Sequence, residues 1–368
     1  MSSPADRLAN RLAGRLSRES RERLDALSTD PQADPKVRES WKYTPVKRSL
    51  ALLSEVDVAG PCVITGLDQA GVLFAENVQP DEAEIAALFS QSANCPPSAR
   101  ALLLAESVDR LTVVDRLVQP LRIRRTDARR PLLITASPQS EVVIEELADT
   151  SVTGWICLQV HDGACVSYGR LRTQREMSEW QRLVIKLERH ARLQLNHYAT
   201  GSTLRRLDAR IELAGPGSEL DLQSAWTAEA REKIDQQWHI EHTAPQTTSR
   251  QVHHGIADGN ASTTFRGRIF IGSDCTRANA DLLNRNLAMS AGATCNTKPE
   301  LEIHNDDVRC SHGATVGQLS DDSVFYLRSR GVAPDAARRL LAAGFIHSTL
   351  RGSLAASARL ALTGTADD

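Results

Sequence analysis

Ile156-Cys157-Leu158-Gln159-Val160, Leu183-Val184-Ile185-Lys186-Leu187, Ile211-Glu212-Leu213, Trp238-His239-Ile240 and Phe265 through Ile269-Phe270-Ile271 carry the decisive pattern in this chain. Each stretch places apolar side chains at every second position, which is the spacing of a half-buried strand. Their starts are 27, 28, 27 and 27 residues apart. A second series runs through Val166, Leu193-Leu195 and Leu220-Leu222 at about the same interval, with a fourth member expected near Val252. Two short strands per unit, repeated at a fixed period with no helix between them, can stack coil on coil into a solenoid with parallel sheets. The rival is a β-sandwich, whose hairpins call for tight Asn-Gly turns. Such turns are largely absent here, so the pattern favours a parallel β-helix over residues 111–319.

A solenoid exposes unpaired backbone at its ends and needs caps. Residues 1–110 are expected to form a mostly helical N-terminal region. Leu8, Leu12, Leu16, Leu24 and Leu27 share one helical face, Pro80 opens an acidic-started helix through residue 91, and a short helix follows at 98–106. The arginines between 7 and 23 have two readings, an acidic or nucleic-acid partner and a solvated face. Interleaved acids favour the second. Residues 320–368 are expected to form a C-terminal helical domain. Ser320 caps a helix with Asp321 and Asp322 in its first turn and Gly331 at its end. Pro334 opens a second helix that Gly344 interrupts, and Leu350, Leu354, Leu360 and Leu362 mark a last amphipathic segment.

The totals restrict function. The net charge of −2 over 368 residues gives no global basic field for nucleic acid or a membrane surface. No apolar run approaches the about 20 residues that span a bilayer, and no apolar leader begins the chain. Seven cysteines, none at C-x-x-C spacing, fit a reducing cytoplasm and no closed metal cage within one chain. Aromatics make up only 4% of residues, so aliphatic side chains must fill the core. Phosphate-loop, dinucleotide and serine-hydrolase motifs are all missing.

Cys310 and His312 stand two apart, which on a strand puts thiol and imidazole on one face. The pair reads as a thiolate–imidazole nucleophile, as two soft metal ligands, or as a buried Cys beside a hydrogen-bonded His. A nucleophile lacks its orienting acid here, and two ligands fall short of four. A half-site completed by another chain would reconcile both gaps. His239, His242, His253 and His254 resemble a metal cluster in count, but strand parity separates them. His304, Asp306 and Asp307 read as a cation site or, more simply, a solvated loop.

Cys310-Ser311-His312-Gly313-Ala314-Thr315-Val316-Gly317, followed by Phe325-Tyr326-Leu327-Arg328-Ser329-Arg330-Gly331, closely resembles the signature of the SufB/SufD family of iron–sulfur cluster assembly proteins. Thr297 through Ile303, Asp307-Val308-Arg309, His242 through Ser249, Phe265-Arg266-Gly267 and Trp41-Lys42-Tyr43-Thr44 extend the resemblance over most of the chain. Ser311 and Gly313, where SufB sequences have glutamates, point to the SufD branch. The resemblance implies a right-handed parallel β-helix between helical ends. It implies a non-enzymatic scaffold that pairs with a SufB-like core and couples to a SufC-like ABC-type ATPase. It maps the interface histidine onto His312, with Cys310 beside it, as ligands completed by the partner. A transient iron–sulfur cluster would form there, with no cofactor held stably by this chain alone. The ATPase dock would comprise Phe325, Tyr326, Leu327, Arg330, Gly331, Leu340, Leu341 and Phe345. Whether the isolated chain forms a homodimer through the same face is left open by the sequence. Asn286-Leu287-Ala288-Met289-Ser290 departs from the family's Leu-rich run, and residues 1–110 match weakly outside Trp41–Thr44. The alternative is a β-helix carbohydrate-active enzyme, disfavoured because no paired carboxylates recur on one face.

Overall fold

The alternation of apolar side chains becomes two long sheets facing each other across a filled lumen. The computed structural model describes Lys42 and residues 62–79, 107–125, 130–148, 153–175 and 178–364. The first sheet contains, in spatial order, β1 (Cys62–Thr65), β4 (Leu121–Arg125), β6 (Glu141–Ala148), β8 (Cys165–Arg172), β10 (Arg192–Thr200), β12 (Glu219–Ala228), β14 (Thr248–Ala257), β16 (Ala278–Ala288) and β18 (Val308–Gly317). The second runs β2 (Val72–Val78), β3 (Val108–Val113), β5 (Leu132–Ala136), β7 (Thr153–Val160), β9 (Ser178–Leu187), β11 (Leu204–Leu213), β13 (Lys233–His242), β15 (Ser262–Ile271) and β17 (Thr294–Ile303). Successive coils pair in parallel, as a β-helix requires and a sandwich does not.

The N-terminal end differs from its expected form. β1 pairs antiparallel with β4, and β2 antiparallel with β3. Within the segment expected to be mostly helical, the described residues beyond Lys42 thus include strands that extend both sheets. The helices expected at 5–27, 80–91 and 98–106 lie outside the described residues, as does the Trp41–Thr44 motif apart from Lys42.

The register shows how the sequence fills the lumen. Leu158, Ile185, Ile211, Ile240, Ile269 and Leu301 stack in one column of the second sheet. Burying each such side chain contributes on the order of 1.5–3 kcal/mol. In the first sheet, Val166, Leu193, Leu220, Ser249, Ala280 and Cys310 form one column. Tyr168, Leu195, Leu222, Gln251, Leu282 and His312 form the next. Two details of the repeat are corrected. Leu183 pairs with Ala209, and Ile211 with Ile185, so that pair of coils is 26 residues apart. The fourth member of the second series is Ser249-Arg250-Gln251, not Val252. Val252 pairs with Gln223 and has the opposite parity. The lumen turns polar at this coil, so the only nearby apolar side chain lies on the other face.

One turn repeats along the whole solenoid. Gln139, Gly163, His190, Gly217, Gln246 and Arg277 each take a left-handed backbone conformation, with φ between 53° and 70°. Each donates its backbone N–H to a carbonyl of the next coil's turn, for example Gly163 to Arg189 at 2.8 Å and Arg277 to Asp307 at 2.6 Å. Only two of the six are glycine, although this conformation penalises any side chain. The stacked hydrogen bonds hold the others there.

Three helices follow: α1 (Asp321–Ser329), α2 (Pro334–His347) and α3 (Ala355–Thr363). Ser320 Oγ accepts the Ser323 N–H at 3.3 Å and caps α1 as its sequence predicts. Gly331 has φ +87°, and the N–H groups of Gly331 and Val332 return to the carbonyls of Arg328 and Leu327. That is the Schellman ending of a helix. α2 continues through Gly344 to His347 and is not interrupted there. Ile346, Leu350, Leu354, Ala358 and Leu362 pack on Leu171, Tyr198, Ala225 and Ile256, on the outer face of the first sheet. Leu360, expected on the same stripe, is exposed.

Candidate interface at the open end of the solenoid

The two lumen columns end in chemistry. Cys310 and His312 occupy, on β18, the register positions that Ala280 and Leu282 fill one coil earlier. β18 and β17 are the outermost strands of their sheets, so no further coil covers them among the described residues. Cys310 is half-buried and packs against the main core. His312 is exposed, and among the described residues its ring has no hydrogen-bond or ionic partner. An unpaired strand edge beside an open lumen is a surface built for another strand.

The electrostatics separate the two side chains. Partial burial pushes the Cys310 thiol up, a backbone hydrogen bond at Ala280 opposes that, and the Asp281 carboxylate adds to the rise. The thiol is therefore held protonated at neutral pH, the reverse of an activated nucleophile. Ser311 points the other way and donates to Asp281 Oδ1 at 2.6 Å. On the outer face of β17, Arg266 donates to Glu300 at 2.6 Å and Arg268 pairs with Glu302. Against the upward push of partial burial, Arg266 and Lys298 hold the Glu300 carboxyl below its usual range. These lateral pairs tie the last strand to β15.

The rim also carries two exposed aliphatic residues, Ile303 at 40% and Val316 at 48%. They were not singled out from the sequence. They share lumen-side parity with Ile271 and Asn286 and close columns that no further coil covers among the described residues.

The histidines do not converge. His242 is buried, with Thr247 Oγ1 at 2.7 Å from its Nδ1 and Ser249 Oγ at 2.9 Å from its Nε2. His253 lies in the lumen column between Ser224 and Asn284, whereas His254 faces outward against Phe345. Among the described residues no three His, Cys, Asp or Glu side chains gather into a metal site. The 304–307 segment is a turn: Asn305 Oδ1 accepts the Asp307 N–H at 2.9 Å and His304 pairs with Glu302.

The residues expected on the helical dock divide. Phe325 is 70% exposed, Tyr326 56% and Leu340 51%, while Arg330 stacks its guanidinium 4.9 Å from the Tyr326 ring. Leu327 and Leu341 are half-buried, and Gly331 lies in the exposed turn. Phe345 faces the solenoid: its ring stacks on His254 with centroids 4.4 Å apart, and its carbonyl lies 2.9 Å from His254 Nδ1. It is half-buried and fixes α2 to the sheet.

A family model described as the SufBD core domain of SUF-system FeS cluster assembly matches residues 125–345. The chain belongs to the SufB/SufD family. The matched span contains nearly all of the parallel coils, the Cys310–His312 edge and most of α2. The SufD protein of Escherichia coli is 34% identical to this SufD-like chain over 148 residues, 40% of this chain and 35% of that protein. A SufBD family protein of Mycobacterium tuberculosis is 25% identical over 333 residues, 83% of this chain and 82% of that protein. SufB of Bacillus subtilis is 33% identical over 106 residues, 29% of this chain and 23% of that protein. The chain thus spans about a third or less of the length of the E. coli and B. subtilis relatives it matches. Among the described residues no helix is long and apolar enough to cross a membrane.

Proposed function

We propose that this chain is a non-catalytic scaffold subunit of an iron–sulfur cluster assembly complex. Its open coil, β17 and β18, pairs with the matching coil of a SufB-like solenoid. His312 then faces the seam where the nascent cluster, the cargo of the complex, is held, with Cys310 beside it. The observation that carries this reading is that two adjacent lumen columns of the first sheet end on Cys310 and His312, at a strand edge that no further coil covers among the described residues. A lone imidazole and a protonated thiol make half a ligand set, so a partner chain supplies the rest.

The exposed surface of Phe325, Tyr326, Arg330, Gly331 and Leu340 docks a SufC-like ABC-type ATPase, and ATP hydrolysis belongs to that partner. Phe345 and His254 form the rigid link from that dock to the solenoid, so force on the helices reaches the coils. Without a SufB-like partner, a second copy of this chain covers the same edge.

Co-expression with SufB-like and SufC-like proteins tests this. A ternary complex should co-purify, and Phe325→Ala with Tyr326→Ala should release the ATPase while retaining the SufB-like chain. A chain that stays alone with both partners present sinks the proposal.

A further inference from the structure

Below the apolar columns, the same inward face of the first sheet becomes charged. Glu146 follows Ile144 on β6, Arg170 and Arg172 follow Tyr168 on β8, and His197 follows Leu195 on β10, in register with Arg170. Gln181, Glu179 and Arg205 approach from the second sheet. All of these are at most 4% exposed.

Their pairing is incomplete. Glu146 Oε2 accepts from Arg170 Nε at 2.7 Å and from the Tyr168 hydroxyl at 2.6 Å, and Glu146 Oε1 accepts from Arg172. Glu179 accepts from Arg205 Nε at 2.8 Å. Arg205 also donates to the carbonyls of Arg172 at 3.0 Å and Gln174 at 2.6 Å. Three guanidiniums therefore face two carboxylates. Burial pushes the Tyr168 hydroxyl strongly up, so it stays protonated and adds no negative charge. Burial first, and then Arg170 and Arg172, push His197 well down, so it stays neutral. Among the described residues this layer keeps one uncompensated positive charge away from water, which is costly unless a counterion joins it.

The unused atoms point to that counterion. Among the described residues, Arg170 Nη1, Arg172 Nε and Nη1, Gln181 Nε2, Glu179 Oε1 and both His197 nitrogens have no hydrogen-bond partner, with Glu179 Oε1 3.7 Å from Arg172 Nε. Gln181 Oε1 accepts from Arg170 Nη2 at 2.5 Å, so the free amide nitrogen of Gln181 sits beside Arg170. Arg170, Arg172 and Gln181 offer donors only, and neutral His197 adds one N–H and one acceptor. A water molecule finds acceptors in Glu179 Oε1 and His197, but it leaves the buried positive charge uncompensated, which an anion does not.

We propose that Arg170, Arg172, Gln181 and His197 bind one small monovalent inorganic anion, of halide size, inside the solenoid. The site neutralises the buried guanidinium layer. It is separate from the Cys310–His312 edge, which lies several coils further along.

Crystals of the full chain grown in sodium bromide test it directly. Anomalous scattering should show one bromide within hydrogen-bonding distance of Arg170 and Gln181. In solution, only the folded state holds the ion. Once bromide exceeds its dissociation constant, each tenfold rise should therefore increase the folding equilibrium constant about tenfold at fixed ionic strength, with gluconate as the balancing anion. Gln181→Glu supplies a carboxylate in place of the anion and should abolish both the peak and the bromide dependence. Should that variant fail to fold, Arg172→Met removes the excess charge and should do the same. An ordered water at the site in bromide, or an equal bromide dependence in wild type and variant, overturns the proposal.

Discussion

Tyr198 and Arg351 hold each other twice across 153 residues of chain. The phenol donates to the Arg351 carbonyl at 2.8 Å, and the Arg351 N–H donates to the phenol oxygen at 2.6 Å. This double bond fixes the α2–α3 connection to the outer face of β10. Burial pushes the Tyr198 hydroxyl up to about 12, so it stays a neutral donor at any working pH. Tyr198→Phe strands two backbone groups and should cost about 1–2 kcal/mol. Hydrogen exchange of residues 350–363 should accelerate more than that of the β10 core. Uniform acceleration of both would mean the bond is not a local clamp.

The lumen has little slack where large rings stack. Trp226 and Phe265 lie parallel at 6.0 Å, and His253 tilts against Phe265 at 4.6 Å. A Cβ at Gly255 would fall well inside contact with Trp226 Nε1 and 2.6 Å from Asn286 Oδ1. Gly255→Ala should therefore destabilise by about 1–3 kcal/mol through overpacking. Gly344→Ala meets nothing within 4 Å, lies in a helix and should stabilise by about 0.5–1 kcal/mol. Urea midpoints of the two variants should move in opposite directions.

These contrasts show what the sequence made legible. Strand parity located the aliphatic columns because Leu158, Ile185 and Ile240 sit in unbroken alternation. Capping chemistry located α1, since Ser320 and Gly331 act locally. The second half of each first-sheet strand was opaque. Glu146, Arg170 and His197 continue the inward parity of Ile144, Tyr168 and Leu195, but a charged side chain at a core position reads as solvent-facing unless its partners are known. Val252 misled for the related reason that Ser249 and Gln251 carry the core there. For Cys310 and His312, the sequence supplied shared parity. Their place on a last coil that nothing covers among the described residues depends on pairings across 30 residues, from β16 to β18.

Buried histidines give the fold a defined acid limit. An unfolded histidine titrates near 6.5. Burial pushes His253 down to about 3 and His242 to about 4; burial, then Arg182 and Arg266, push His239 down to about 3. Between those values the unfolded chain binds more protons than the folded one. Stability is thus fully present above pH 6.5 and lost as pH falls toward 4, by up to about 1.4 kcal/mol per pH unit for each histidine. Urea midpoints should be flat from pH 7 to 8 and fall steeply below 6. His253→Gln should reduce the slope by one proton, and an unchanged slope would remove His253 from this account.

The Cys310–His312 edge makes a prediction that separates folding from function. His312 is exposed and unpartnered among the described residues, so His312→Ala should change the stability of the isolated chain by under about 0.5 kcal/mol. Cys310 is half-buried with its thiol held protonated, so at pH 7 iodoacetamide should modify it more slowly than a free cysteine, and more slowly still once a SufB-like chain covers the coil. If the imidazole faces the cargo, iron and acid-labile sulfide in the anaerobically prepared complex should fall in His312→Ala. They should persist in His312→Ala only if the ligand lies elsewhere. Cys310→Ser keeps the shape of the column while removing the soft ligand. Its cluster content should match wild type if the histidine alone supplies this chain's half of the site, and should fall with that of His312→Ala if both do. Val316→Lys places a charge on the apolar rim without touching either residue. It should weaken pairing with the SufB-like chain and with a second copy alike, measured by the concentration dependence of sedimentation, and pairing unaffected by that charge would move the seam away from β18.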